Sequence, residues 1–281
     1  MGYRIGFDIG STTIKAVVLD ENNQICYKSY ERHKAQVRQK ALDKLVELKK
    51  YTKEPFKFAI SGSGALGLSE QGELPFVQEV FASATGVSKL YPETDCAIEL
   101  GGEDAKILFF QGSVEQRMNS TCAGGTGAFI DQMATLLNMS LEEMNEASLN
   151  YHRLYPIASR CGVFAKTDIQ PLINQGVDKC DLCASIFQAV VDQTITSLAQ
   201  GRKIEGNILF LGGPLYFMSG LRNRFVETLK LSDVQVNCPD TAINFVALGT
   251  AICADQEYTY DELYKALEDL VHAPAKLTES K

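Results

Sequence analysis

The strongest constraint in this sequence is an internal echo. Residues Phe7-Asp8-Ile9-Gly10-Ser11-Thr12-Thr13-Ile14-Lys15 and Ile98-Glu99-Leu100-Gly101-Gly102-Glu103-Asp104-Ala105-Lys106 follow one plan. Each runs from an apolar strand through a carboxylate, a glycine and small polar residues to a lysine that opens a second strand. A plan repeated in both halves of a chain implies two similar lobes. Around each copy, strand-like and helix-like apolar spacings alternate, which predicts an α/β architecture. Strands are expected over 4–7, 14–18, 25–30, 56–60, 97–100, 105–110 and 207–211. Helices are expected over 35–51, 128–138, 182–199, 215–229, 241–254 and 261–270, with one more carrying Phe76, Val77, Val80, Phe81 and Ala84. The spacing of Ser140 and Glu143 predicts a capping box. The expected fold is therefore α/β, with two duplicated lobes and a nucleotide cleft between them. Residues 1–94 plus 244–281 are expected to form the first lobe and 95–243 the second.

Composition narrows the function classes. At 281 residues the chain is long enough for about two domains. Its 35 acidic residues against 27 basic ones, a net charge of −8, argue against nucleic acid or an anionic membrane as the main partner. No apolar run approaches the roughly 18–20 residues of a membrane span. The opening MGYRIGFDIG reads as a strand rather than a signal peptide. A soluble, cytoplasmic protein is expected.

Three glycine loops carry the candidate chemistry. In the first, Gly10 permits a tight turn and close ligand approach. Ser11, Thr12 and Thr13 offer hydroxyls and amides for an anion-binding concavity, Lys15 adds positive charge, and Asp8 can hold a hydrated Mg²⁺ through its waters. In the second, Gly101 and Gly102 lie among Glu99, Glu103 and Asp104, carboxylates able to align an attacking water or ligate metal-bound water. The third, Gly212-Gly213-Pro214, follows a strand and precedes a helix, which suits contact with a base or phosphate. One such turn is ordinary; three at repeated positions point to a nucleotide. Gly62-Ser63-Gly64-Ala65-Leu66-Gly67 matches GxGxxG after a strand, but Gly72 and Pro75 interrupt the helix that a dinucleotide fingerprint requires. No GxxxxGK[ST] occurs, so a P-loop enzyme is excluded.

Eight cysteines in a chain of this kind read as reduced thiols or metal ligands rather than disulfides. Cys122, in TCAGGTGAF, and Cys161, in SRCGVFAK, each precede a predicted helix. A helix N-terminus lowers a thiolate pKa and can stabilise an anionic iron–sulfur cluster. Singly, each is more often a small buried residue than a ligand; the shared setting of cysteine, glycine and helix entry moves that balance toward a ligand. Gly125, Thr126 and Gly127, in the first of these segments, are counted with the nucleotide loops. Cys180-Asp181-Leu182-Cys183 reads as two ordinary residues at the start of the long helix, with Asp181 near its cap. Cys26, Cys96, Cys238 and Cys253 read as packing residues, and the lysines of 35–51 as a solvated face.

At these residues the chain resembles the activator ATPases of 2-hydroxyacyl-CoA dehydratases. That family also includes the ATPase subunits of benzoyl-CoA reductase, within the acetate and sugar kinase, heat-shock protein and actin superfamily. GFDIGSTTIK, ELGGEDAK, CAGGTGAFID, ASRCGVFAKTDIQ, LFLGGPL and ALGTAI fall in family order across almost the whole chain. The two cysteine segments are the specific part. The resemblance implies actin/RNase H-like lobes that bind ATP or ADP with Mg²⁺. It also implies a homodimer holding one [4Fe–4S] cluster, with Cys122 and Cys161 of each chain as metal ligands. The implied activity is ATP-driven transfer of a low-potential electron, from a ferredoxin- or flavodoxin-like donor to a dehydratase or reductase partner. Where the family's second loop often has Asp, and Gln after the glycines, this chain has Glu99 and Glu103. That form is similar to the activase portion of fused activase–reductase chains, and it leaves open which carboxylate orients the water.

Two other classes share some of these features. A small-molecule kinase of the same superfamily needs an acceptor pocket with a general base. Nothing outside the loops singles one out, and His33, His152 and His272 are dispersed. The other class is a non-catalytic nucleotide-dependent regulator, or a chain with an intrachain metal site built from Cys122, Cys161, Cys180 and Cys183.

Overall fold

The computed structural model describes residues 2–119, 124–158 and 162–274. Among these described residues ten strands follow in chain order: β1 (Arg4–Ile9), β2 (Thr13–Leu19), β3 (Ile25–Arg32), β4 (Phe56–Ser61), β5 (Cys96–Leu100), β6 (Ala105–Phe109), β7 (Glu115–Asn119), β8 (Ile208–Leu211), β9 (Val236–Asn237) and β10 (Glu257–Tyr258). The chain divides into two compact units. One comprises the residues up to Pro92 together with those from Asn244 onward, and the other is Glu93–Ile243.

Each unit is built on a five-stranded sheet, ordered β10-β4-β1-β2-β3 in the first and β7-β6-β5-β8-β9 in the second. Read from opposite ends, the inner strands correspond. β1 pairs antiparallel with β2 and parallel with β4; β5 pairs antiparallel with β6 and parallel with β8. The repeated sequence is thus the same hairpin in both units, with Asp8 facing Lys15 in one and Glu99 facing Lys106 in the other. Strand β7 gives no apolar alternation in Glu-Gln-Arg-Met-Asn, so the sequence does not signal it; pairing to β6 makes it a strand.

Period-two alternation decides which residues enter the cores. In the first unit Ile5, Phe7 and Ile9 pack with Phe56, Phe58 and Ile60. Leu42 and Leu45 of the helix Val37–Glu47 and Leu263 and Leu267 of the helix Tyr260–His272 cover this face. Gly6 and Asp8 alternate to the opposite face, where Gly6 meets the backbone of the apolar helix Phe245–Cys253. In the second unit Ile98, Leu100, Ile107 and Phe109 pack with Phe129, Ile130 and Met133 of the helix Gly127–Leu137 and with Ile186, Phe187 and Val190 of the helix Lys179–Thr194. Each fully buried aromatic contributes about 2 kcal/mol of transfer free energy.

Four local expectations need correction. The single helix expected over 215–229 is two, Gly213–Phe217 and Ser219–Leu229, broken at Met218 in an extended conformation. The helix expected to carry Phe76 and Val77 begins only at Glu79; those two residues run beside β4, with Phe76 bridging Ile60 and the Val77 N–H donating to the Ile60 carbonyl. The lysine face of the first helix is not uniformly solvated: Lys44 is buried, held by Glu47 at 2.5 Å and Glu31 at 3.3 Å. Finally, Lys179–Ala199, which ends in a π-helical turn over Ile195–Ala199, is long and apolar enough to cross a membrane by length and composition. Its apolar stretch is 72% buried in the protein, so it serves as a core helix.

Ser140 and Glu143 form the reciprocal capping box on the helix Leu141–Ser148, at 3.1 and 2.8 Å. Ser140→Ala is expected to cost about 1 kcal/mol in urea unfolding. Glu143→Ala should cost less, and the double variant less than the two together, because the bonds form one unit. Strict additivity would contradict the box.

Candidate active site

The first hairpin turns through Gly10-Ser11-Thr12, closed by the Gly10 N–H donating to the Thr13 carbonyl at 2.9 Å. Ser11 and Thr12 are exposed at the tip and Thr13 is buried. Strand register sets Lys15 Nζ 2.7 Å from Asp8 Oδ2, with the Asp8 carboxylate buried. The pair is neutral as a unit, so Lys15 acts first as the partner of Asp8 and not as a spare cation for phosphate. Beside Asp8 in parallel register stands Ser61, the last residue of β4. Its hydroxyl is buried, with no hydrogen-bond partner among the described residues. Gly62 then crosses the end of β1 at φ +99°, where a Cβ would lie 2.2 Å from the Ile9 carbonyl oxygen and 2.8 Å from Asp8 Oδ1. An orphaned hydroxyl beside a carboxylate fits a hydrated Mg²⁺, whose retained waters need such oxygens.

The second hairpin repeats the closure, Gly101 N–H to the Asp104 carbonyl at 2.8 Å. Here Lys106, only 2% exposed, lies 3.4 Å from Glu99 and 2.8 Å from Asp104. One ammonium is shared between two carboxylates. Glu103 stands exposed at the tip.

Gly125, at φ +83°, and buried Thr126 lead into the helix Gly127–Leu137. Its first amides are already spent: Gly127 N–H donates to the Gly101 carbonyl at 3.0 Å and Ala128 N–H to the Gly102 carbonyl at 2.8 Å. A Cβ on Gly127 would lie 3.3 Å from the Gly101 oxygen, the Gly102 Cα and Pro214 Cγ alike. The second and third glycine loops and the helix entry at Gly127 therefore meet at one cradle. Gly212, at φ +87°, makes that possible, since a Cβ there would sit 2.0 Å from the Leu100 oxygen. Such a surface lets a nucleotide approach main chain directly.

The sequence shows the glycines of this surface and Lys106, but in the first unit it gives no sign of the buried Ser61 hydroxyl or of the contact between His33 and the Gly10 carbonyl. Lys106 was legible as the second copy of Lys15. Nothing in spacing points to the other two.

Cys122 and Cys161 lie outside the described residues. Cys183 is buried 3.9 Å from Met139 Sδ, and burial pushes its thiol up to about 12; Cys180 is half-buried. Asp178, not Asp181, caps their helix, accepting from the Cys180 amide. Asp181 instead accepts the His152 and Arg153 amides, bonds that hold its carboxyl below the usual range. Burial likewise pushes Cys96 up to about 12. Packing does not explain Cys26, which is exposed on β3. Among the described residues no group of three or more His, Cys, Asp or Glu is placed to hold a metal ion.

Two units with one strand order, each presenting a glycine hairpin braced by a carboxylate–lysine pair, place the chain in the actin-like α/β class of proteins. Within it, this chain belongs to the BadF/BadG/BcrA/BcrD ATPase family, whose pattern matches residues 5–254. It is 27% identical over 274 residues to the 2-hydroxyisocaproyl-CoA dehydratase activator of Clostridioides difficile, covering 95% of this chain and 98% of that one. It is 28% identical over 257 residues to the (R)-2-hydroxyglutaryl-CoA dehydratase activating ATPase of Acidaminococcus fermentans, covering 90% and 96%. The crystal structure of component A of the Acidaminococcus fermentans dehydratase matches with a TM-score of 0.79 at 25% identity, over 95% of this chain and 100% of that one. The Clostridium difficile 2-hydroxyisocaproyl-CoA dehydratase activator with bound ADPNP matches at 0.78 and 25%, over 98% and 100%.

Lys106→Met leaves two carboxylates without their buried cation and is expected to destabilise by about 3 kcal/mol. Adding Glu99→Gln should recover a large part of that loss in denaturant unfolding; no recovery would show that the pair is not coupled. Alkylation of the native protein at pH 8, followed by mass spectrometry, should label Cys26 and spare Cys96 and Cys183 until unfolding.

Proposed function

We propose that this ATPase is an activator that delivers a low-potential electron to a 2-hydroxyacyl-CoA dehydratase or a related reductase. The observation that carries the reading is the length of the likeness. The alignments span 98% and 96% of two dehydratase activators, not merely a shared nucleotide-binding segment. The cofactors that belong with it are ATP or ADP, Mg²⁺, and one [4Fe–4S] cluster per homodimer, with Cys122 and Cys161 as the proposed ligands. When bound, the cluster supplies the electron. The proposed partners are a ferredoxin- or flavodoxin-like donor and the dehydratase or reductase acceptor, and the proposed location is the cytoplasm.

The chain's own residues handle the nucleotide. Gly101, Gly102, Gly127 and the Gly212-Gly213-Pro214 turn admit it to the backbone, with Gly125 and Thr126 setting the helix entry. Ser11, Thr12 and Thr13 donate to phosphate oxygens. Asp8 and Ser61 hold the waters of Mg²⁺. Glu99 and Asp104 are committed to Lys106, so Glu103 is the carboxylate left to align the attacking water. ATP and ADP must bind two arrangements of the protein with different affinities for hydrolysis to direct anything.

Anaerobically prepared protein should be a coloured dimer with about two iron atoms and two sulfides per chain, half of a shared cube, and Cys161→Ser should lose them. About four iron atoms per chain, or a colourless monomer that takes up none, would overturn the cluster assignment. Glu103→Gln should slow ATP hydrolysis about 10²-fold with ATP affinity nearly unchanged; an unchanged rate would move the role to another group.

A further inference from the structure

We propose that His33 is the positioning residue of the first phosphate loop, doing with one imidazole what a helix N-terminus does in the second unit. The inference rests on the reading of the first hairpin as a phosphate loop. His33 is 4% exposed and follows β3 directly. The register that pairs Thr13 with Arg32 places His33 beside the turn, where its backbone N–H donates to the Thr12 carbonyl at 3.2 Å. Its ring Nε2 lies 3.0 Å from the Gly10 carbonyl oxygen. The Ala35 N–H donates to Nδ1 at 3.2 Å. An Nδ1 that accepts leaves the proton on Nε2, so Nε2 donates to Gly10. The turn that delivers the Ala35 amide holds Lys34 at φ 49° and Ala35 at φ 61°. Two successive non-glycine residues in the left-handed region cost about 1 kcal/mol each, a strain the local structure sustains around the ring.

The duplication gives the bond its meaning. Gly10 and Gly101 are the same position of the repeated hairpin, each closing its turn to the residue three further on. In both units that glycine's carbonyl is held from outside the hairpin, by the helix amide of Gly127 in the second and by His33 in the first. A trans peptide is planar, with its C=O and the following N–H pointing in opposite directions. Holding the Gly10 carbonyl toward His33 therefore turns the Ser11 N–H away from it, at the exposed tip of the loop. His33 touches no phosphate itself; it orients the amide that does.

Two substitutions separate reach from bulk. In His33→Asn the side-chain oxygen can still accept from Ala35 but cannot reach Gly10. In His33→Gln the longer amide can donate to Gly10. Calorimetric titration should show His33→Asn binding ATP and ADP about tenfold more weakly, with adenosine affinity unchanged and kcat at saturating ATP within about threefold of the parent. His33→Gln should restore most of the loss. Ser11→Pro, which deletes the amide, should show the same phosphate-selective loss. If Ser11→Pro weakens ATP binding and His33→Asn does not, the role of His33 is overturned while the loop reading stands. If neither does, the phosphate-loop reading itself falls. Equal weakening of ATP and adenosine in His33→Asn, or no rescue by Gln, would reduce His33 to a merely structural residue and overturn the proposal.

Discussion

Both units depend on the same interaction, a buried carboxylate on one hairpin strand paired with a lysine ammonium on the other. Burying either charge alone would cost several kcal/mol. The pairing therefore fixes the hairpin register as firmly as the apolar alternation does, because a slip of one residue would send Asp8 or Glu99 into the core face. With register fixed, the glycine turn falls at the end of the parallel strands, where the loops after β4 and β8 also emerge. In open α/β sheets that end is where ligands are held.

The two copies have diverged in charge and in bracing. The first is a neutral pair, Asp8 and Lys15, beside a Ser61 hydroxyl that has no hydrogen-bond partner among the described residues. The second adds Asp104 to the lysine of Glu99, with Glu103 projecting at the tip. One hairpin is braced by the helix Gly127–Leu137, the other by His33. A surplus carboxylate suits water alignment, while a neutral turn with exposed amides suits an anionic phosphate. This division of labour underlies the proposed roles in ATP hydrolysis.

The duplicated hairpins and the alternating strands and helices were legible because local patterning controls them: period two in Ile5, Phe7 and Ile9, a turn at Gly10, and the same plan again from Ile98. The Ser140–Glu143 box was legible for the same reason. What long-range pairing decides was not. β7 has no apolar pattern and exists because β6 offers an edge. His33 is 23 residues from the carbonyl it holds, brought there by the β2–β3 register. Lys44 reads as a solvated lysine until Glu31 and Glu47 converge on it. Within the candidate site, the glycines were visible as residue types, but not that the amides of Gly127 and Ala128 are already occupied by the hairpin carbonyls. That is a property of packing.

In the proposed role, ATP hydrolysis by this chain drives an electron uphill into a partner enzyme. The most direct measurement is rapid-mixing spectroscopy, under strict anaerobiosis, of the reduced protein with a 2-hydroxyacyl-CoA dehydratase. One-electron reduction of the dehydratase is expected, accompanied by ADP formation and absent with a non-hydrolysable ATP analogue. Reduction at the same rate without nucleotide, or ATP turnover with no electron delivered to any such partner, would contradict that role.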